Sequence, residues 1–293
     1  RWMQQADKVF LHYMPTYNAP ILASFLGQFR SKVVWVIWGG DAHKTQYLGR
    51  KAVLFDALER PVFKRLGFIS SSQEIEYTRA VEVFKIPNAK YIPLIYSIDV
   101  FKAMPESRVE NNGASERIRI LLGNNACPTN RHIEAIDLIK SNVRNFGGEV
   151  EIHCPLSYSI TDETYQKRVI EHGKAVFGNS FIPITDYQKP EDYFDFLGRM
   201  DVFIMNHLRQ RGIGVIRTAL FWGKVVYMAA ANSNLQHFKN EGMHLFETEQ
   251  LIKSPLVKML PVEIKNLNQH LMVENYGEHR ALSLWLEALD FAS

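Results

Sequence analysis

Short apolar runs alternate with amphipathic helical segments along most of this chain of 293 residues, and this alternation restricts the possible folds more than any other feature. Val33–Trp38 and Ile118–Leu122 are two of the runs. Strands that are buried on both faces give such continuous apolar runs, and the helices between them supply the crossovers that parallel strands need. The sequence therefore predicts an α/β protein built on parallel sheets.

One polar segment divides this pattern into two series. Residues Ser97–Arg117 contain proline, glycine and asparagine with many charges and few apolar side chains, which is typical of a linker. We predict a Rossmann-like domain at 1–116, a second at 117–277 and a C-terminal helix at 278–293, within a last segment, Val262–Phe291, that is helical. Two such lobes imply a cleft, and ligands of open α/β sheets bind outside the carboxyl ends of the strands.

Charge and cysteine usage restrict the partners and the compartment. The net charge is +3, and residues 1–117 hold 16 Lys and Arg against 11 Asp and Glu. This excess suits anionic lipid head groups or a phosphate-bearing acceptor, although evenly spread surface lysines would give the same count. Cys127 and Cys154 are the only cysteines, so we predict no disulfide framework and a cytoplasmic protein. Because the chain starts at Arg1 and not at methionine, we expect the first domain to lack its upstream start.

The sequence predicts at most a peripheral membrane contact. No apolar run approaches the roughly 18 residues that indicate a membrane span. The segment Arg50–Arg65 interleaves basic with apolar residues, a pattern that fits either a helix on a membrane surface or a helix facing the protein core.

A glycine-rich loop follows the predicted strand Asp201–His207 and leads into an apolar helix, Val215–Trp222. The start of a helix leaves backbone N–H groups unpaired and carries the positive end of the helix dipole. The loop adds two glycines that allow close backbone approach and two arginines with fixed cationic forks: Arg209, Arg211, Gly212 and Gly214. We predict that it binds a diphosphate, although an ordinary turn with solvated arginines would have the same sequence.

Two further loops are rich in short polar side chains. Gly123 and Asn124 follow the first strand of the second series, and we assign them to the same diphosphate site. Asn232, Asn234 and Gln236 follow the predicted strand Lys224–Ala230, and their neutral amides suit sugar hydroxyls. Helix capping would explain Asn232 equally well.

Asp41 is the best-placed carboxylate of the first series, because it follows the strand Val33–Trp38 and such loops face the cleft. It is our candidate general base, with capping of the next helix as the alternative and His43 as a weaker candidate. Neither an Asp-x-Asp in a cleft-facing loop nor a metal-ligand spacing is present, so we predict no metal and no cofactor.

These residues together resemble a known family, the enzymes that transfer 4-acetamido-4,6-dideoxygalactose (N-acetylfucosamine) from a dTDP-sugar to a lipid-linked disaccharide. The family is called 4-alpha-L-fucosyltransferase or Fuc4NAc transferase. The likeness covers nearly the whole chain and rests on four loops: Trp38-Gly39-Gly40-Asp41; Leu122-Gly123-Asn124 with Pro128, Asn130 and His132; Arg209 to Gly214; and Asn232 to Gln236.

The resemblance implies a GT-B glycosyltransferase, with two facing Rossmann-like domains that hold the acceptor on the first and the nucleotide sugar on the second. It implies a peripheral enzyme on the cytoplasmic face of the bacterial inner membrane, in surface-polysaccharide synthesis of the enterobacterial common antigen type. Similarity to GT-B enzymes also implies that Ile184 contacts the base. Arg217 occupies the region where many GT-B enzymes carry a ribose-binding glutamate, which leaves the ribose contact open.

The sequence therefore predicts a metal-independent hexosyltransferase that moves a deoxyamino-hexose from a nucleotide diphosphate to a lipid-linked saccharide. Two alternatives share the two-lobed fold. One is a nucleotide-sugar 2-epimerase, which needs no acceptor. The other is a non-catalytic sugar-binding protein, of a kind usually exported. Nucleic acid is not expected as a partner.

Overall fold

The computed structural model describes residues 5–13, 32–39, 63–64, 66–96, 117–143, 149–158, 162–208 and 210–290. Most of the segment Arg50–Arg65 and nearly all of the linker lie outside these residues. Contacts divide the chain into two compact units. The N-terminal unit comprises Arg1–Ser97 with Glu278–Ser293, and the C-terminal unit comprises Ile98–Gly277.

The N-terminal unit is built on a parallel sheet, as the apolar runs predicted. Its described strands pair in chain order. They are β1 (Val9–His12), β2 (Val33–Val36), β3 (Phe68–Ser71) and β4 (Lys90–Pro93), with helix α1 (Glu74–Phe84) between the last two. Trp35 of β2 is fully buried, with its ring centroid 5.2 Å from Phe63 and 5.4 Å from Phe84.

The C-terminal unit is built on a second parallel sheet, whose described strands follow the order β10-β9-β8-β5-β6-β7. The strands are β5 (Arg117–Leu122), β6 (Glu149–Pro155), β7 (Phe181–Ile184), β8 (Val202–Met205), β9 (Val225–Met228) and β10 (Phe246–Glu247). The helices are α2 (His132–Val143), α3 (Glu163–Phe177), α4 (Pro190–Gly198), α5 (Ile213–Phe221), α6 (Ser233–Asn240) and α7 (Val262–Tyr276). This is the strand order of a Rossmann-like domain.

Local sequence accounts for where several of these elements begin and pack. Asp162 caps α3, because its side chain accepts a hydrogen bond from Tyr165 N at 3.1 Å. Gly173 lets α3 lie close to β7, since a Cβ at this position would stand 2.5 Å from the ring of Phe181. Pro190 starts α4 in the first turn, where its missing N–H costs no hydrogen bond.

The segment predicted to be helical, Val262–Phe291, forms two helices, because α7 ends at Tyr276 and α8 (Glu278–Asp290) begins after Gly277. A Cβ at Gly277 would lie 2.4 Å from Val273 O, so glycine allows this break. Helix α8 belongs to the N-terminal unit. There Trp285 packs on Phe10 with ring centroids 5.2 Å apart and donates to Ile95 O at 3.1 Å.

Candidate functional site

The chain reverses its direction across the sheet between β5 and β8, which lie next to each other in the C-terminal unit. From β5 the chain proceeds to β6 on one side, whereas from β8 it proceeds to β9 on the other. The loops that leave the carboxyl ends of these two strands therefore diverge and leave a crevice, which is where α/β sheets bind ligands. Both loops were predicted to hold the diphosphate.

The loop after β5 is held in one shape by Gly123 and Asn130. Gly123 adopts φ +68°, and a Cβ there would lie 2.5 Å from His132 Nε2, so only glycine fits. The buried Asn130 donates to Asn125 Oδ1 at 2.8 Å and to Cys127 O at 3.2 Å, and its Oδ1 accepts from Asn124 N at 3.3 Å. Asn124 Oδ1 is buried and has no hydrogen-bond partner among the described residues.

The loop after β8 leads into α5 without a side-chain cap. Gly212 is the N-cap residue, with φ +58°, and no side chain accepts from the first turn of the helix. The first N–H groups of α5 are therefore open to an anion, and the helix dipole favours one. Gly214 is exposed, and a Cβ built on it would meet nothing within 4 Å, so there is space beside this turn.

The two loops meet at this turn. A Cβ on Gly212 would stand 3.0 Å from Asn124 Cγ, which places the Asn124 amide against the start of α5. Arg211, the residue before Gly212, is half-buried, and its Nε finds no hydrogen-bond partner in the described part of the chain. Gly123, Asn124, Arg211, Gly212 and Gly214 thus lie in one region, whereas Arg209 lies outside the described residues.

A third loop joins the other two through Asn232. Asn232 is the N-cap of α6, with its Oδ1 accepting from Asn234 N at 2.8 Å, and its Nδ2 donates to His207 O. Asn234 is fully buried, and neither end of its amide has a partner among the described residues. Gln236 is exposed and donates to Asn240 Oδ1 at 2.7 Å, along the surface of α6.

Two buried histidines lie beneath these loops. His132 Nδ1 is 3.1 Å from the hydroxyl of Tyr165, and burial, helped by the nearby His207, lowers the pKa of His132 to about 3. His207 donates from Nε2 to Arg211 O at 2.8 Å, and burial lowers its pKa to about 4. Both rings are neutral at pH 7, so neither supplies the site with a positive charge.

A family model described as "4-alpha-L-fucosyltransferase glycosyl transferase group 56" matches residues 3–289. The chain belongs to this family. Similar solved structures include the trehalose 6-phosphate synthase of Burkholderia multivorans (TM-score 0.65, 9% identity, covering 97% of this chain and 70% of that one). Another is the synthase of Burkholderia xenovorans in complex with glucose-6-phosphate (TM-score 0.68, 8% identity, 99% and 74% covered). A third is an E. coli protein bound with UDP-2-fluoro glucose (TM-score 0.67, 8% identity, 98% and 74% covered).

At these identities the structural likeness establishes the fold, which is GT-B with two Rossmann-like domains. Family and fold together identify the chain as a glycosyltransferase that uses a nucleotide sugar. The predicted family and fold class are confirmed.

Several residues of this glycosyltransferase that sequence reasoning missed tie the strand ends together. Asn206 donates to Arg131 O at 3.3 Å, and its Oδ1 lies 2.9 Å from the Thr248 hydroxyl. Glu249 accepts from Ala230 N at 2.9 Å, which brings a carboxylate to the edge of the sheet that holds the three loops. These residues follow strands or precede helices, but only the strand order shows that they meet.

Three more residues were considered in the sequence analysis: Ile184, Arg217 and Asp41. Ile184 ends β7, and its carbonyl accepts from Leu156 N at 2.7 Å. Arg217 is buried, with its guanidinium 3.9 Å from the centroid of the Tyr276 ring, so it packs against α7 in the interior. Burial lowers its pKa. Asp41 lies outside the described residues.

The described residues hold neither a metal-binding cluster nor a membrane-spanning helix. Within the described ranges, no group of three or more His, Cys, Asp and Glu side chains could hold a metal ion. Among the helices that the structure describes, none is long and apolar enough to cross a bilayer. Cys127 and Cys154 are both buried, and they do not form a disulfide.

Proposed function

We propose that this glycosyltransferase moves an N-acetylfucosamine-like deoxyamino-hexose from a nucleotide diphosphate, dTDP by preference, to a lipid-linked saccharide. The observation that carries the donor half of the proposal is the uncapped start of α5, with Asn124 against Gly212 and open space beside Gly214. The family description, 4-alpha-L-fucosyltransferase, supports a deoxyhexose donor. The lipid-linked acceptor follows from the motif resemblance given above.

The diphosphate binds at the start of α5 in this proposal. Its oxygens accept from the first N–H groups of the helix and from the side chains of Arg209 and Arg211. The Asn124 Nδ2 group donates to the same oxygens. When the bond between the sugar C1 and the phosphate oxygen breaks, the negative charge that develops on the diphosphate is stabilised by these groups without the help of a metal ion.

The remaining roles follow the geometry of the loops. Asn234 and Gln236 bind hydroxyls of the donor sugar, while Asn232 holds α6 against the loop after β8. The base lies near Ile184 at the end of β7. Asp41 takes the proton of the attacking acceptor hydroxyl, a role that requires inversion at the sugar C1. A product with retained configuration would remove the need for this base.

The proposed place of work is the cytoplasmic face of the bacterial inner membrane, in the synthesis of a surface polysaccharide. Nucleotide sugars are water-soluble and lipid-linked saccharides are not, so an enzyme that joins the two must reach a membrane surface. A peripheral contact is sufficient for this purpose.

A thermal-shift comparison of dTDP, UDP, GDP and CMP tests the donor assignment directly. A ligand that binds only the folded protein stabilises it by about 2.7 kcal/mol when present at a hundred times its Kd. We expect dTDP to raise the Tm most. Failure of all four nucleotides to raise it would overturn the proposed diphosphate site.

The reaction itself is tested with dTDP-N-acetylfucosamine, with and without a bacterial lipid extract. Transfer of the sugar into the lipid fraction, only when the extract is present, is the expected result. Conversion of the nucleotide sugar in the absence of extract would instead indicate an epimerase. Binding without any turnover in either condition would indicate a sugar-binding protein.

A further inference from the structure

Three aromatic side chains lie together at the carboxyl edge of the N-terminal sheet. His12 ends β1, Trp38 follows β2 and Tyr96 follows β4. Trp38 and Tyr96 are stacked, with centroids 5.6 Å apart and ring planes 23° apart, and His12 lies 6.0 Å from Trp38 and 5.6 Å from Tyr96. Trp38 is 57% exposed and Tyr96 39% exposed, so this aromatic cluster presents ring surface to solvent.

Hydrogen bonds fix the orientation of the rings. Trp38 Nε1 donates to His12 Nδ1 at 3.2 Å, and an indole N–H can only donate, so in the neutral ring His12 carries its proton on Nε2. The Tyr96 oxygen lies 3.1 Å from His12 Nε2 and 3.1 Å from His12 Nδ1, so both ring nitrogens are close to this hydroxyl. Trp285 of α8 packs edge-on against Tyr96, with ring centroids 5.5 Å apart, and so helps to hold the Tyr96 ring in place.

We propose that the aromatic cluster is the binding platform for a saccharide ring of the acceptor. One face of a pyranose ring consists largely of C–H groups, which pack on an exposed indole, while its hydroxyls need neutral hydrogen-bonding partners at the rim. Trp38 supplies the ring face and Tyr96 supplies a hydroxyl group beside it. This inference rests on the proposed function, because a glycosyltransferase must bind a second saccharide besides its donor.

The chemistry of the cluster distinguishes this ligand from the donor diphosphate and from a lipid surface. Ring faces and neutral hydrogen-bonding groups do not neutralise a diphosphate, which the arginine and the uncapped helix of the C-terminal unit are suited to hold. Rings locked in place by mutual hydrogen bonds lose little freedom on binding a rigid ligand. A bilayer surface, which has no fixed shape, gains nothing from such locking.

The first experiment measures acceptor kinetics in the Trp38→Ala variant. We expect kcat/KM for the lipid-linked acceptor to fall by about five- to tenfold, with nucleotide affinity unchanged. Trp38→Phe keeps a stacking ring and should recover part of the loss. Leu282→Ala is the matched control, because Leu282 lies in the same unit and is 58% exposed. Equal kcat/KM in Trp38→Ala and in Leu282→Ala would overturn the proposal.

The second experiment needs no turnover. Titration with methyl glycosides and disaccharides, including N-acetylated ones, should give a saturable shift of the Trp38 indole N–H resonance, assigned from its loss in Trp38→Phe. No shift with any of these probes would overturn the platform. The platform would also be overturned if Trp38→Ala weakened binding to phosphatidylethanolamine and phosphatidylglycerol vesicles and had no effect on saccharide binding. Failure of the proposed function looks different, since it would appear as loss of nucleotide binding while the saccharide shift persists.

Discussion

The carboxyl edges of the two sheets share a backbone arrangement and differ in the groups that they offer to a ligand. In the N-terminal unit, His12 links Trp38 and Tyr96 by hydrogen bonds, so the exposed cluster is complete without a ligand. In the C-terminal unit, Asn124 Oδ1, Arg211 Nε and both ends of the Asn234 amide are buried and have no partner among the described residues. The first edge offers an exposed aromatic surface, although the buried amide of Gln73 after β3 also has no partner in the described part of the chain. The second edge offers an uncapped helix start, surrounded by polar groups that no described residue pairs.

This contrast has an energetic meaning. An unpaired buried polar group costs about 1–3 kcal/mol, so a ligand that pairs several of them gains affinity and also stabilises the fold. A preformed aromatic surface gains affinity instead from ring contact. Each ligand stabilises the folded protein by an amount set by its concentration relative to its Kd, so at equal concentration we expect the tighter-binding donor analogue to stabilise it more than an acceptor analogue.

The largest effect is expected from Gly123→Ala, which disturbs the loop after β5 in the C-terminal unit and leaves the aromatic cluster intact. In Gly123→Ala the alanine would have to adopt the left-handed backbone conformation, at φ +68°, and its methyl group would lie 2.5 Å from His132 Nε2. We expect the free energy of unfolding to fall by about 2–4 kcal/mol and nucleotide binding to be lost, as measured by urea unfolding and calorimetry.

Gly242→Ala is the control for this change. Gly242 also has a positive φ, +86°, but a Cβ there would lie 3.5 Å from Leu271 Cδ1, which is an ordinary van der Waals contact. It should therefore show only the backbone part of the cost, about 1–2 kcal/mol. Equal destabilisation by the two variants would contradict the assigned contact between Gly123 and His132.

The next prediction concerns the pH dependence of the unfolding free energy, which the buried His207 of the C-terminal unit should affect. Burial lowers the pKa of His207 to about 4, against 6.5 in the unfolded chain, so between these values the unfolded state binds the extra proton. Stability then falls as the pH drops from about 6.5 to 4, by roughly 1.4 kcal/mol per pH unit for this group. The slope of unfolding free energy against pH should be smaller in His207→Asn. Loss of the same slope on replacing the exposed His270 would contradict the assignment to burial.

A smaller effect concerns donor affinity alone. Arg211→Ala should weaken dTDP binding about tenfold, since it removes a charged donor to the diphosphate, and the loss should shrink at high salt. Trp38→Ala should leave the same affinity unchanged. The exposed Arg168, on α3, provides the charge control. A loss of dTDP affinity in Arg168→Ala equal to that in Arg211→Ala would mean that net charge, and not the site, determines binding.

The fold was largely readable from the sequence because its signals are local. Each predicted strand in the described residues is present, since a buried parallel strand is a continuous apolar run. The elements that were missed are short. Strand β10 has two residues and α6 eight, too few for a period to show.

The site was readable only in part, because glycines and short amides mark loops but do not show which loops meet. The contact between Asn124 and Gly212 depends on β5 lying beside β8, which no local pattern reveals. The same applies to Glu249, which reaches the site edge from a 3-10 helix (Thr248–Ile252) that follows β10, a strand that was not predicted. Arg217 illustrates the opposite case, because its position in the sequence suggested the ribose region and the structure buries it against Tyr276.

The smallest predicted effect decides whether Gln236 belongs to the donor site or only to the surface of α6. Its amide donates to Asn240 at 2.7 Å, an exposed contact between residues one helical turn apart, worth about 0.2–0.5 kcal/mol. If Gln236 also binds the sugar, Gln236→Ala should lower kcat/KM for the donor by about threefold or more while stability changes little. Asn240→Ala breaks the same contact but keeps the Gln236 amide. It should therefore lose as much stability as Gln236→Ala, while its kcat/KM for the donor stays unchanged. If the two variants have equal kinetics, Gln236 has no part in the donor site, and sugar recognition in this loop falls to Asn234 alone.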